Sequence, residues 1–423
     1  MYYNRLAYGL PAQLWIVEAG VFLNYLGWGC VMPFEVIYFH DGRGFSLGIA
    51  GLVVGIVTGL AVVAAPVAGP LIDRIGSRAV AAASLAALGV GFAGLAFSTT
   101  PLQAFAAAAV AGIGNGGLQP SQSALLATLA ARDVRHRATA VSRVVANLGV
   151  GVGGFVGGVV AARGLHGFVA LYLVNAVTYL VYAAILVLGV RESPRPERMA
   201  GGYRLVLRDR PFVRLALINV AVIAVGWGVF SWIVPAYARV QVGVSTRVIG
   251  LLVLANAVTV VLAQIPVAKA AEGRRRTATM ALGALMFVAA SLLVVAAGAL
   301  DARAAAAVLL TAVVLVGAGE CLYTTVLMPL VADLAPGALR GRYMAATGLS
   351  WWLGLALAPT LAAQLLGVSG PATMLTAAAV AALAAVSVLA LERQLPVEIR
   401  LTPRPDATAA DLRPAQAQAS ASR

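Results

Sequence analysis

Charge is what this sequence has least of. Only 11% of its 423 residues are Asp, Glu, Lys or Arg, while 61% are hydrophobic. A water-soluble domain carries about 25% charge, so a soluble core is excluded for most of the length. Lysine is nearly absent, with Lys269 standing alone. The two cysteines, Cys30 and Cys321, both fall in apolar stretches, which excludes a disulfide framework or a cysteine metal cluster. The three histidines, His40, His136 and His166, lie far apart in or near loops, so no Ser-His-Asp grouping or metal spacing is present. No phosphate-binding loop occurs in a strand–helix setting, and the G-x-G strings lie inside apolar stretches, where they read as packing. No catalytic residue, metal or cofactor is expected, and ATP is not the expected energy source.

What is present is a series of long apolar runs. A membrane-spanning helix needs roughly 20 of them in a row. Spans are expected near 12–36, 46–70, 79–98, 102–131, 138–162 and 167–190, then 213–237, 247–270, 278–299, 303–331, 343–367 and 371–391. The first is too long for a signal peptide and lacks a small-residue cleavage site, so it is expected to be retained. The fold class is therefore an all-α multi-pass membrane protein with twelve transmembrane helices. The polar, Pro-broken stretch 191–212 separates an N-terminal bundle, 1–190, from a C-terminal one, 213–392. The tail 393–423, rich in Ala, Pro, Gln and Ser, is expected to be disordered.

The two halves repeat each other. Gly149, Gly153 and Gly157 recur at four-residue spacing, as do Gly154 and Gly158, placing each set on one helix face where another backbone can approach. A shift of 205 residues carries this stretch onto Gly354–Ala363, Arg135 onto Arg340, Arg137 onto Arg342, Gly112 onto Gly317, Gly114 onto Gly319 and Asn115 onto Glu320. Gly27-Trp28-Gly29 also recurs as Gly226-Trp227-Gly228, followed by Pro33 and Pro235 respectively. Two pseudo-symmetric six-helix bundles are expected.

Orientation follows from arginine placement, which also accounts for the net charge of +14 without nucleic acid. One side carries Arg74 and Arg78, the cluster Arg132, Arg135 and Arg137, the arginines of 191–214, Arg274 to Arg276, and Arg340 with Arg342. The other carries only Arg43, Arg163, Arg239, Arg247 and Arg303. Both termini are expected in the cytoplasm.

The loop Gly69-Pro70-Leu71-Ile72-Asp73-Arg74-Ile75-Gly76-Ser77-Arg78 resembles the G-x-L-x-D-R-x-G-R-[KR] loop of the major facilitator superfamily, departing at Ser77. The 149–158 stretch is similar to that superfamily's antiporter signature, with Gly154 where the signature has Pro; the second copy keeps Pro359. The superfamily's fourth-helix arginine motif is not recognisable around Gly112-Ile113-Gly114. Glu320, Pro329, Asp333-Leu334-Ala335-Pro336 and Arg340-Gly341-Arg342 resemble bacterial drug-efflux members. The resemblance spans about residues 10–392. It implies a gate loop of Gly69, Asp73, Arg74, Gly76 and Arg78 that latches the halves in one state. Asp73 at the membrane edge can meet the positive end of the eleventh helix. It also implies that the first, fourth, seventh and tenth helices surround a central cavity, and it places the chain in a bacterial cytoplasmic membrane.

An ionisable group inside a span is costly unless paired or wet, so each one is a functional candidate. Glu18 and Arg143 lie at matched depth in the first and fifth spans and read as a buried ion pair. Glu320 lies deep in the tenth span, where burial disfavours the carboxylate, and its repeat partner Asn115 is neutral. Glu35, at the outer end of the first span, is expected to meet Arg43 or Arg239. Glu320, Glu18 and Glu35 are the proton-coupling candidates. Asn24, Tyr25, Trp28, Asn147, Trp227, Phe230 and Tyr323 are the candidates for an apolar cavity with a few polar handles.

These features point to a secondary transporter working by alternating access, exporting lipophilic or cationic small molecules against protons. One rival is a proton-coupled symporter for a sugar or organic acid, which would need a more polar cavity. Another is a non-transporting receptor or scaffold, which would need a large soluble domain or a long structured loop. The expected partners are a small-molecule substrate, protons and the lipid bilayer, with no nucleic acid and a monomeric state.

Overall fold

The computed structural model describes residues 12–129, 135–190, 205–336 and 339–403. Its backbone is helical almost throughout, and twelve long segments run in chain order. They are α1 (Ala12–Gly42), α2 (Leu47–Ile75), α3 (Ser77–Phe97), α4 (Pro101–Leu129), α5 (Arg135–Ala161) and α6 (Leu165–Gly189). Then come α7 (Arg210–Val240), α8 (Thr246–Ala271), α9 (Arg276–Ala297), α10 (Ala302–Leu334), α11 (Gly341–Leu366) and α12 (Gly370–Leu391).

Among the described residues, 11 of these are long and apolar enough to cross a membrane. The other is α4, a 29-residue helix in which Asn115, Gln119, Ser121 and Gln122 dilute the apolar character. It is nevertheless packed among its neighbours α2 and α3, so its polar residues face protein and cavity. The expectation of twelve spans holds as twelve helices, with α4 recognised by its packing.

The helices start and stop where local chemistry dictates. Ser46 and Ser245 cap α2 and α8 by accepting from the backbone N–H of Ile49 and Val248. Asp209, Asp301 and Ser369 do the same for α7, α10 and α12. Gly76 ends α2 with φ +92°, a conformation that only glycine adopts freely, which explains a glycine at that point of the loop. Wide π turns interrupt α7 over Ala224–Ile233 and α11 over Ala358–Ala362, and lie in the Gly-Trp-Gly and Gly-x-x-x-Ala-Pro copies.

Packing repeats as the sequence does. In the first half α1 meets α5 and α6, α2 meets α4, and α3 meets α4 and α6. In the second half α7 meets α11 and α12, α8 meets α10, and α9 meets α10 and α12. Each pairing has its counterpart six helices later. The halves join along two seams, α5 on α8 and α2 on α11, which exchange under the same relation.

Two expectations concerning the polar segments differ in outcome. Residues 191–204 of the separating stretch and 404–423 of the tail lie outside the described residues. The tail's beginning, expected to lack order from Arg393 on, is instead a strap over the α8–α9 loop. Arg275 pairs with Glu392 at 2.6 Å, and Leu401 forms an isolated bridge with Arg275. Backbone bonds from Gly273 to Thr402 and from Arg276 to Arg400 complete it. Composition hid this because the strap is held mostly by main-chain groups.

Candidate functional site

Between the halves lies a cavity of about 780 Å³ lined from both. The glycine rows of α5 explain how the helices approach closely enough to frame it. A Cβ on Gly149 would sit 3.0 Å from the Phe22 carbonyl of α1, and one on Gly157 would sit 2.5 Å from that of Cys30. Gly153 likewise abuts Leu26 and Cys30. The other row faces α8: Gly154 abuts Val253, and Gly158 would place a Cβ 2.5 Å from the Thr246 carbonyl. Thus one row seats α5 on its own half and the other seats it on the opposite half.

The α2–α11 seam touches over only part of its length. Along α2, Gly48, Gly51 and Gly55 abut Gln364, Pro359 with Ala363, and Thr360 of α11. Farther along, Gly59 has only the Ala356 Cβ at 3.9 Å, and Gly69 has nothing within 4 Å. Gly341 and Gly348, toward the start of α11, are equally open. The helices therefore meet at the Arg-poor side and diverge toward the Arg-rich side, where the cavity opens.

At the closed end the two halves are joined by polar contacts. The Trp232 indole N–H of α7 donates to the Glu35 carboxylate at 2.8 Å, and Arg239 reaches Asp41 at 3.2 Å. This corrects the expected Glu35–arginine contact. Arg239 is committed to Asp41, while Arg43 donates to the Tyr38 hydroxyl at 2.8 Å and to the Ala96 carbonyl. Glu35 is 5% exposed and lines the cavity's closed end.

The expected Glu18–Arg143 ion pair is not formed. The Ser142 hydroxyl donates to Glu18, whose other oxygen has no partner. The reason is angular. Ala138, Ser142, Gly149 and Gly153 lie on the face of α5 turned toward α1, and Arg143 is one residue, about 100°, around the helix. Depth was read correctly but azimuth was not. Arg143 is exposed into the cavity, and no ion pair joins it to a described residue.

Glu320 lies near the middle of α10 and lines the cavity. The amide of Asn256 on α8 stands 3.5 Å from its carboxylate, and no described cation pairs with it. Asn24, Tyr25, Trp28, Asn147, Trp227 and Phe230 all line the cavity as expected. Tyr323 does not: it is fully buried, its hydroxyl donating to Asn219 of α7 at 3.2 Å. It lies three residues from Glu320, on the side of α10 turned into the bundle.

The sequence reading missed Gln119, Gln122, Asn256 and Gln264, which line the cavity, and the indoles Trp232, Trp351 and Trp352. Trp227 and Trp351 rings lie 4.9 Å apart, Trp28 and Trp232 6.4 Å apart, and Trp352 donates to Gln119 at 2.9 Å. A signal was available: uncharged amides inside otherwise apolar spans, three residues apart at Gln119 and Gln122 and eight apart at Asn256 and Gln264.

The gate loop is only partly engaged. Arg78 donates to the Val190 carbonyl at 2.9 Å, tying α3 to the end of α6. Among the described residues, Asp73 makes no hydrogen bond or ion pair, and the latch implied with the start of α11 is unmade in this open arrangement. Arg74 is exposed beside it.

The chain is similar to known proteins in sequence and in fold. The family model described as Major Facilitator Superfamily matches residues 18–238 and 215–421. An "Uncharacterized MFS-type transporter YttB" of Bacillus subtilis is 27% identical over 353 residues, 80% of this chain and 86% of that one. A "Multidrug resistance protein MdtH" of Aeromonas salmonicida is 25% identical over 256 residues, 59% of this chain and 62% of that one. Among solved structures, a POT family transporter in complex with 5-aminolevulinic acid superposes with a TM-score of 0.76 at 13% identity, covering 91% of this chain and 97% of that one. That likeness speaks for the fold alone. With the family model matching nearly the whole length over the same two halves, the chain belongs to the Major Facilitator Superfamily of membrane transporters.

Proposed function

We propose that this transporter exports lipophilic or cationic small molecules in exchange for protons, from the cytoplasmic membrane of a bacterium, with both termini in the cytoplasm. The observation that carries the reading is Glu320: a carboxyl deep in α10, lining a cavity walled by indole and phenyl rings, with no described cation beside it. An unpaired carboxyl at that depth is costly to ionise, so it holds a proton when the cavity is dry. Water or a cationic ligand stabilises the carboxylate and releases the proton. The linkage is reciprocal: ligand binding promotes proton release, and protonation weakens ligand binding by the same factor.

The aromatic walls suit an apolar or cationic ligand better than a sugar. The multidrug resistance relative supports the same class of cargo at low identity. The arrangement fits alternating access: the α2–α11 seam is shut at one side and parted at the other, with the Glu35–Trp232 contact at the shut end. The protein acts as a monomer in the lipid bilayer.

The test is Glu320→Gln in proteoliposomes with an imposed pH difference. The variant mimics the protonated state, so gradient-driven accumulation of a cationic dye should be lost while the protein remains folded. Dye accumulation at the wild-type rate would remove Glu320 from coupling and leave Glu18 or Glu35 to carry the proton.

A further inference from the structure

Arg143 is left without a role by the reading above. It is exposed, it lines the same cavity as Glu320, and no described carboxylate pairs with it, because Glu18 is held by Ser142 one position away. Arg143 is the third residue of the apolar span Val141–Ala161, and a guanidinium that faces a cavity there without an acidic partner marks a binding path. Arg143 belongs to the first half, whose wall also carries Glu18 held by Ser142 and Glu35 held by Trp232, and Glu320 belongs to the second, so the cavity presents an unpaired cation from one wall and an acid from the other.

Their depths differ. At 1.5 Å per helical residue, Arg143 lies about 12 Å from the Arg135 end of α5 and Glu320 about 21 Å from the Leu334 end of α10, both measured from the Arg-rich side. Each stands at its own distance from the Arg-rich end of its helix, and no ion pair joins the two. Asn147 and Gln119, both lining the cavity, supply neutral polar groups, and Trp227 and Trp351 an aromatic surface.

We infer that the preferred cargo is amphoteric: an elongated aromatic molecule with an ammonium group at one end and a carboxylate at the other. This rests on the export reading and narrows its substrate class. The ammonium seats at Glu320, deep in the cavity. The carboxylate seats at Arg143, nearer the mouth, where the planar guanidinium can take it in a two-pronged contact. The aromatic body lies along the indoles. Because the ligand holds both halves at once, it favours the state in which they close around it.

The probes are 4′-(aminomethyl)biphenyl-4-carboxylic acid, its methyl ester, which keeps only the ammonium, and its N-acetyl derivative, which keeps only the carboxylate. Binding to purified full-length protein is followed by quenching of tryptophan fluorescence. The amphoteric probe should bind at least ten-fold more tightly than either relative. Arg143→Gln should lower its affinity to that of the ester while leaving the ester's own affinity unchanged, and Arg143→Lys should restore part of the loss. Glu320→Gln should lower it to that of the N-acetyl acid.

Equal binding of amphoteric probe and ester, an Arg143→Gln variant that weakens both alike, or no binding of the amphoteric probe at all would overturn the inference. Failure of the export reading looks different. If wild-type proteoliposomes still export the ester against a proton gradient while Arg143→Gln leaves the amphoteric probe untouched, the inference falls and export stands. If no probe moves against a gradient, export itself falls.

Discussion

The two seams between the halves solve one problem with opposite assignments. In the α5–α8 seam the small residues sit chiefly on α5, where Gly151, Gly154 and Gly158 receive Ala257, Val253 and the Thr246–Gly250 backbone. In the α2–α11 seam they sit on α2, where Gly48, Gly51 and Gly55 receive Gln364, Pro359 with Ala363, and Thr360. Since α5 corresponds to α11 and α2 to α8, the glycines have changed partner between copies. What the repeat preserves is the close crossing, not the residue that permits it. The swap also explains why the second copy of the signature stretch, with Ala358, Ala362 and Ala363, tolerates side chains: the room is supplied by Gly51 and Gly228 opposite. Both seams close at the same side, so opening there requires both to part.

The largest expected effect comes from filling a seam where both walls are backbone. Gly158→Leu places its side chain against the Thr246 carbonyl and the Gly250 Cα, which would lie 2.5 and 2.9 Å from a Cβ and cannot rotate away. Overpacking of this kind costs about 1–3 kcal/mol. A lowered thermal unfolding midpoint and loss of transport are expected. Gly55→Ala meets mainly the Thr360 side chain, with its Cα 3.6 Å away, so it should be milder by a measurable margin. Equal losses would mean that the seams differ in name only.

A middle-sized effect is expected from Trp232→Phe. The ring volume is largely kept, but Glu35 loses its donor while staying buried. An orphaned buried acceptor costs about 1–3 kcal/mol. Because the contact joins α1 to α7 at the closed end, the loss should appear as more labelling of cysteines at the Arg-poor mouth. Unchanged labelling would leave closure to the glycine seams alone.

The smallest effect belongs to a control away from both seams. Ending the chain at Leu391 removes Glu392 and the strap on the α8–α9 loop. Arg275 is 58% exposed in that pair, so solvent screens the contact and its loss should change stability little. Faster tryptic cutting after Arg274 is the expected readout, with transport retained; a large loss of transport would give the strap a role in gating.

Much of this design is written locally and some of it is not. The spans, the repeat and the two glycine rows are periodic features, and a period of 3.6 residues assigns faces without further information. That is why the Gly149 set and the Gly158 set could each be placed on one helix face from sequence alone, while the neighbours they meet, α1 and α8, come from the structure. What sequence cannot fix is the rotation of one helix relative to another. Arg143 was matched to Glu18 by depth, yet the helix turned Ser142 toward Glu18 and Arg143 into the cavity. Tyr323 failed for the same reason, lying on the bundle side of the helix that presents Glu320. Glu35 found an indole because the arginines near it had closer partners, a competition among several groups that no pairwise reading captures.

The central claim is that the halves rock as units, parting at one side while closing at the other. Two spin-label pairs test it directly in lipid nanodiscs: Leu71 with Gly341 at the Arg-rich side, and Ser46 with Val368 at the Arg-poor side. The account predicts two distance populations for each pair, with pH and ligand moving them in opposite senses, so that the first pair shortens as the second lengthens. A single unchanging distance in each pair, or two pairs that shorten together, would contradict it.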